Sequence, residues 1–276
     1  MTPKNPTGFD ADFFVEQGER DPVKAARDPA RPLPKRFYKD ASVGETEKGF
    51  RILLDGRPVN TPARRQIVVP SRALAEALAA EWAGQGEKID PATMPLTRLV
   101  NSALDGVAGQ MAEVEAELVK YAGSDMLCYR AGEPESLVAA QRAAWDPLVS
   151  FARDNLGARL ALAEGVMFAA QPEESVEALA RAVRAYVGEG EGEAAPLRLA
   201  ALHVMTTLTG SLILALAKAL KEIDLATAWG AAHIDEDFQM RAWGADPEAL
   251  SRREARFAEM TAAAFVADCL AEGGQG

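Results

Sequence analysis

The chain has 276 residues, 48% hydrophobic and 26% charged, a composition that excludes wholesale disorder and provides for one large domain or two ordinary ones. Its 41 acidic residues against 30 basic ones give a formal charge of -11, the wrong sign for a protein that neutralises phosphates, so no nucleic-acid partner is expected. Two cysteines far apart and two histidines, with neither CxxC nor HExxH, exclude a disulfide framework and a multi-histidine metal centre and suit a reducing compartment.

Residues 1–35 carry Pro3, Pro6, Pro22, Pro29, Pro32 and Pro34 among scattered charges, a pattern that predicts an extended, weakly held arm. Met1 to Arg20 shows neither an apolar h-region nor an Arg/Ser-rich amphipathic pattern, so no targeting segment is expected. From Arg36 the pattern changes to short runs bounded by turn residues. Strands are predicted around Phe37 to Val43, Phe50 to Leu54, Arg57 to Thr61 and Gln66 to Val69, joined by turns at GETEKG and at Asp55-Gly56. Asp-Gly between two extended runs is the signal for a type I′ hairpin, because both central residues need positive φ. Ser71 then precedes an Ala/Leu-rich stretch ending at Trp82, with Gly84 just beyond, the marks of an N-capped helix with a glycine stop.

Helical periodicity resumes at Leu96, pauses at Gly106 to Gly109 and returns in Met111 to Tyr121. Beyond Gly132 and Pro134 the composition is helical, with breaks at Gly157, Gly165 to Pro172, Gly188 to Pro196, Gly230 and Gly244 to Pro247. The expected fold is therefore α+β, a small antiparallel β-rich N-terminal domain over residues 1–108 (1–35 being the arm) followed by an all-helical bundle over 109–276. The longest uncharged run, Leu199 to Ala217, approaches a membrane span in length, but His203, three threonines, Gly210 and Ser211 dilute it, so a buried helix with no membrane insertion is expected. On a helical wheel His203, Thr206, Thr207, Gly210 and Leu214 share one side; the face either packs in the bundle or lines a groove for a partner segment.

Neither GxxxxGK[ST], GxGxxG nor GxSxG occurs, so phosphate loops and nucleophile elbows are missing and no cofactor is expected. The segment Ala226 to Gly244 says most. At spacings of four, three, four and three, Trp229, His233, Glu236, Met240 and Trp243 form one stripe of a predicted single helix, with a carboxylate at its centre. Exposed Trp and Met suit protein interfaces, so these five residues are the candidate partner-binding set. Glu236 is open to two partners, His233 one turn earlier or a basic group on another protein. A small hydrolase using His203 or His233 is the alternative, which requires one of them in an open pocket beside a Ser, Cys or carboxylate.

Several short pieces stand together in order: Lys35-Arg36-Phe37-Tyr38, Leu54-Asp55-Gly56-Arg57-Pro58 with Thr61-Pro62, Glu81-Trp82 with Gln85, and Met94-Pro95-Leu96-Thr97. Ser124 to Ala131, Trp145-Asp146-Pro147, Leu208 to Ser211, and Ala228-Trp229 through Glu236 and Gln239 to Trp243-Gly244 continue the series. Over residues 35–265 the chain resembles the ATP synthase assembly chaperone family of mitochondria and alphaproteobacteria that binds the alpha subunit of the catalytic sector. Ser124 departs from the family's usual Thr but keeps the hydroxyl. The resemblance implies a two-domain protein without catalytic activity that transiently binds free ATP synthase alpha subunit and shields its subunit interface until the alpha/beta ring forms. It further implies that the family's functional acidic residue is Glu236 here, and the missing Arg/Ser-rich leader suggests a cytoplasmic bacterial version, expected to be a monomer.

Overall fold

The computed structural model describes residues 32–165, 167–188 and 194–272. The expected arm up to residue 31, the expected absence of a targeting segment and most of the Gly188 to Glu193 loop lie outside the described residues. Two compact units divide the chain, one running up to Gly109 and taking in Cys269 onwards, the other Gln110–Asp268. The class is α+β.

In the first unit, β1 (Ala41–Thr46) and β2 (Gly49–Leu54) form an antiparallel hairpin in register from Ala41 opposite Leu54 to Thr46 opposite Gly49. Gly49 has a φ of 134°, and a Cβ there would lie 2.4 Å from the Val69 carbonyl oxygen, so the close approach of strands admits only glycine. Asp55 and Gly56 hold φ of 47° and 76°, the two positive angles of the predicted turn, which returns the chain into β3 (Arg57–Pro58). A fourth strand, β4 (Val68–Val69), pairs with the other end of β2, and a single bridge between Asn60 and Gln66 replaces the longer strands expected there.

The first strand begins later than the Phe37 to Val43 pattern suggests, and runs on to Thr46. The reason is local competition: the Asp55 carboxylate accepts from the backbone N–H groups of Lys39 and Asp40, while the Arg36 guanidinium donates to the carbonyls of Tyr38 and Lys39. Side chains thus claim the groups that a ladder would use.

Helix α1 (Arg72–Ala83) starts on Ser71, whose hydroxyl accepts from Leu74 N, and lays Leu74, Leu78 and Trp82 against the sheet's Ile52 and Val69. The Glu81 carboxylate accepts 2.8 Å hydrogen bonds from Leu96 N, Thr97 N and the Thr97 hydroxyl, capping α2 (Pro95–Asp105). Burial pushes the Glu81 carboxyl up while these donors pull it down. Gln85 repeats the device, accepting from Asp90 N and donating to the Thr93 hydroxyl. Motif pieces more than ten positions apart therefore close on one another.

Among its described residues the second unit is helical except for one pair of two-residue strands. It holds α3 (Met111–Ala122), β5 (Tyr129–Arg130), α4 (Glu135–Asn155), β6 (Ala163–Glu164), α5 (Glu173–Val187) and α6 (Ala194–Thr209). There follow α7 (Leu212–Ala219), α8 (Leu225–Ala232), α9 (Ile234–Trp243) and α10 (Pro247–Glu272), which runs past Asp268. Every residue of α7 is buried, Lys218 included, because its ammonium meets Asp268 at 2.7 Å.

Two long helices of the sequence pattern are broken in the structure. The apolar run Leu199 to Ala217 turns at Gly210, with φ 68°, and restarts on Ser211, whose hydroxyl accepts from Leu214 N at 3.0 Å. The hydroxyls of Thr206, Thr207 and Thr209 donate to carbonyls within their own helix, and the face divides: Thr206 and Leu214 are buried, His203 and Gly210 half-buried and Thr207 exposed. The segment Ala226 to Gly244 breaks at His233, between α8 and α9. There the imidazole takes the Trp229 carbonyl at 2.8 Å and the Trp145 indole N–H takes the Ala231 carbonyl at 2.8 Å, so side chains occupy acceptors that a continuous helix needs.

Candidate functional site

The break divides the expected stripe. Trp229 and His233 turn inward, with ring centroids 3.9 Å apart, and Trp229 also meets Phe257 of α10 at 5.1 Å. Glu236 and Trp243 turn outward on α9, and Met240 is half-buried between them. No residue of α9 is buried, a rare condition for a helix that carries Ile234, Phe238, Met240 and Trp243. Trp243, at its end, is 82% exposed.

The first turn of α9 gathers Asp235, Glu236 and Asp237 at the positive end of the helix dipole. Two of them are used within the protein: Asp235 accepts from the Gln141 carboxamide at 2.7 Å, and Asp237 pairs with Arg253. Glu236 is different. Its carboxylate lies 3.9 Å from Nε2 of His233, and its side chain is 57% exposed. Because a carbonyl only accepts, the Nδ1 of His233 carries the proton that reaches Trp229, and the neutral ring turns a lone pair toward Glu236. Burial lowers the His233 pKa, opposed by the Trp229 carbonyl and Glu236, so at neutral pH this ring offers the carboxylate no positive charge. The internal pairing open at the level of sequence is therefore weak, and Glu236 faces water.

Of the groups named for a hydrolase, His203 on α6 lies 3.6 Å from the exposed Glu117 carboxylate, while the neighbouring Thr207 hydroxyl is committed to the carbonyls of His203 and Val204. His233 is buried at 3% exposure rather than open in a pocket. Burial and the nearby Asp125 push the Cys128 thiol up to about 12, which leaves it a thiol rather than a nucleophilic thiolate at neutral pH. Among the described residues no group of three or more His, Cys, Asp or Glu is placed to hold a metal ion, and no helix is long and apolar enough to cross a membrane.

A family model described as ATP12 chaperone protein matches residues 35–153. The crystal structure of Atp12 from Paracoccus denitrificans is 40% identical, covering 86% of this chain and 98% of that one with a TM-score of 0.77. The chain belongs to the ATP12 chaperone family. A crystal structure from Agrobacterium tumefaciens agrees at 46% identity, 94% of each chain and a TM-score of 0.81. A curated relative, the mitochondrial protein atp12 of Schizosaccharomyces pombe, is 26% identical over 152 residues, 52% of this chain and 52% of its own, so the match spans about half of that relative.

Within this ATP12 fold, the residues that hold α9 in place escaped the sequence pattern. Gln141 lies 94 positions from Asp235, and Arg253 is one of several arginines on α10; neither stands in a motif. Only the amphipathic period of α4 hinted that Gln141, a polar residue on a buried face, had a partner.

The contrast among the tryptophans is measurable. Trp82, Trp145 and Trp229 are buried and Trp243 is open, so acrylamide is expected to quench one fraction of the emission readily, and Trp243→Phe to remove that fraction. Equal quenching of wild type and variant would contradict the placement of α9.

Proposed function

We propose that this protein is a chaperone of ATP synthase assembly that binds the free alpha subunit and covers its subunit interface until a beta subunit replaces it. The observation that carries this reading is α9, a helix with no buried residue on an ATP12-family scaffold, with an acidic first turn at one end and an open tryptophan at the other. Aromatic anchors beside charge are what transient protein surfaces use, the aromatic supplying area and the charge supplying orientation. Glu236, Met240 and Trp243 make the contact, while Trp229 and His233 fix the helix that presents them.

The protein acts without a cofactor and without catalysis, as a monomer in the bacterial cytoplasm, and releases its client when the ring closes. The test is co-expression of the tagged protein with both ATP synthase subunits, followed by affinity purification. Recovery of free alpha subunit without beta is the expected result. Recovery of beta alone, of the assembled ring, or of neither subunit would overturn the reading.

A further inference from the structure

Gln141 and Trp145 stand four positions apart on α4, so they share one face of that helix, and both are buried, at 2% and 1% exposure. Each reaches one side of the break between α8 and α9. The Trp145 indole N–H donates to the Ala231 carbonyl near the end of α8, and the Gln141 carboxamide donates to the Asp235 carboxylate in the first turn of α9, at 2.8 and 2.7 Å respectively.

The two residues they take belong together. In an unbroken helix the Ala231 carbonyl would accept from Asp235 N, four residues on. Trp145 occupies that acceptor, and Gln141 holds the side chain of the residue that would have supplied the donor. One face of α4 thus claims both partners of a bond whose loss separates α8 from α9.

Gln141 is itself fixed. Its carboxamide oxygen accepts from Ala131 N, beside β5, at 2.8 Å, so its nitrogen is left to point at Asp235, and the group cannot turn over without losing both bonds. Trp145 is held beneath the Arg130 guanidinium, which lies 5.2 Å from its ring centroid. The helix they hold has no buried residue of its own and packs mainly on α4, with one further tie from Asp237 to the partly exposed Arg253. Its direction is therefore set from α4.

We propose that Gln141 and Trp145 are positioning residues: they keep the helix broken and α9 turned so that Glu236 and Trp243 face outward. Without their two bonds, Trp229, His233, Glu236, Met240 and Trp243 have the spacing of one continuous helix, which would bring Glu236 round to the side of the buried His233. The consequence for binding rests on the chaperone reading above: a loosened α9 holds the alpha subunit less well because Glu236 is misplaced, while Gln141 and Trp145 never touch the client.

The experiment uses the polarity of the Gln141 bond. Gln141→Glu keeps an oxygen for Ala131 N, but it has no amide to donate and sets a second carboxylate against Asp235. Adding Asp235→Asn restores a donor and an acceptor in reversed order. Hydrogen exchange of the α9 amides and the dissociation constant for purified alpha subunit are measured on wild type, both single variants and the double variant. Gln141→Glu is expected to speed α9 exchange and to weaken alpha-subunit binding, each about tenfold or more, the size of one hydrogen bond to a charged group. Asp235→Asn alone keeps an oxygen for the Gln141 amide and is expected to behave as wild type. The double variant is expected to recover both readouts, a rescue that general damage to the fold would not permit. Asp235→Ala, at an exposed position, cuts the same bond without burying a charge, and Trp145→Phe removes the other bond while keeping a ring; both are expected to speed α9 exchange. Unchanged α9 exchange in Gln141→Glu, Asp235→Ala or Trp145→Phe, or a double variant no better than Gln141→Glu, would overturn the proposal. Faster exchange in Gln141→Glu with wild-type affinity for the alpha subunit overturns it too, while leaving the chaperone reading standing. A wild type that binds no alpha subunit overturns the chaperone reading, and the exchange results then decide the positioning of α9 by themselves.

Discussion

Glu236→Lys is expected to leave the melting temperature close to that of wild type and to abolish protection of the alpha subunit against aggregation. The fold tolerates the change because the side chain is more than half exposed and the ion-pair partner within reach, His233 at 3.9 Å, has its pKa lowered by burial. The internal cost is the loss of one favourable charge and the gain of one unfavourable charge at a helix N-terminus, about 0.3 to 1 kcal/mol for each, with Asp235 and Asp237 still in place. Against a basic client surface, reversal turns attraction into repulsion and costs several kcal/mol, on the order of 2 to 5, which is a loss of thirtyfold or more in affinity. Glu236→Gln should fall between the two and flatten the salt dependence of binding. A Glu236→Lys protein that melts normally and still protects the alpha subunit like wild type would remove Glu236 from the site.

The second large effect concerns stability rather than binding. Asp125 is fully buried and joins two helix starts: its carboxylate accepts from Leu127 N and from Ile213 N, both at 3.1 Å, with further bonds from Leu212 N and the Ser211 hydroxyl. Asp125→Ala orphans the first turn of α7, the helix at the centre of the second unit. We expect a loss of about 3 to 5 kcal/mol, the range for deleting one member of a buried charged network, and a fall in melting temperature on the order of 10 °C.

The same residue sets a pH dependence. Burial pushes the Asp125 carboxyl from 3.8 up to about 6, against the pull of its four hydrogen bonds. A carboxyl whose folded pKa lies above its unfolded one stabilises the fold most below the unfolded value, and that contribution is lost as pH rises through about 6. Asp125→Asn does not titrate, so the melting-temperature gap between wild type and this variant should be widest near pH 4.5 and narrow toward pH 7.5. A gap that stays constant or widens toward neutral pH would show that the carboxyl titrates in its ordinary range.

Much of this protein was legible in short stretches of chain. The Asp55-Gly56 turn, the Ser71 cap and the change from extended to helical pattern each depend on residues within a few positions of one another, where the sterics of φ and the reach of one hydroxyl decide the outcome. The family resemblance rested on pieces such as Glu81-Trp82 and Met94 to Thr97, whose connection is a single capping carboxylate visible only in three dimensions.

Tertiary structure decided where helices stop and which side chains reach water. The wheel over Ala226 to Gly244 assumed an unbroken helix, but Trp145, 86 positions away from Ala231, takes a carbonyl from it, and His233 takes another. That competition turned a stripe into two parts, burying Trp229 and His233 and leaving Glu236 and Trp243 open. Local propensity carries no information about a hydrogen bond arriving from so far along the chain, so period and spacing identified the residues of α9 while only packing determined which of them can meet another protein.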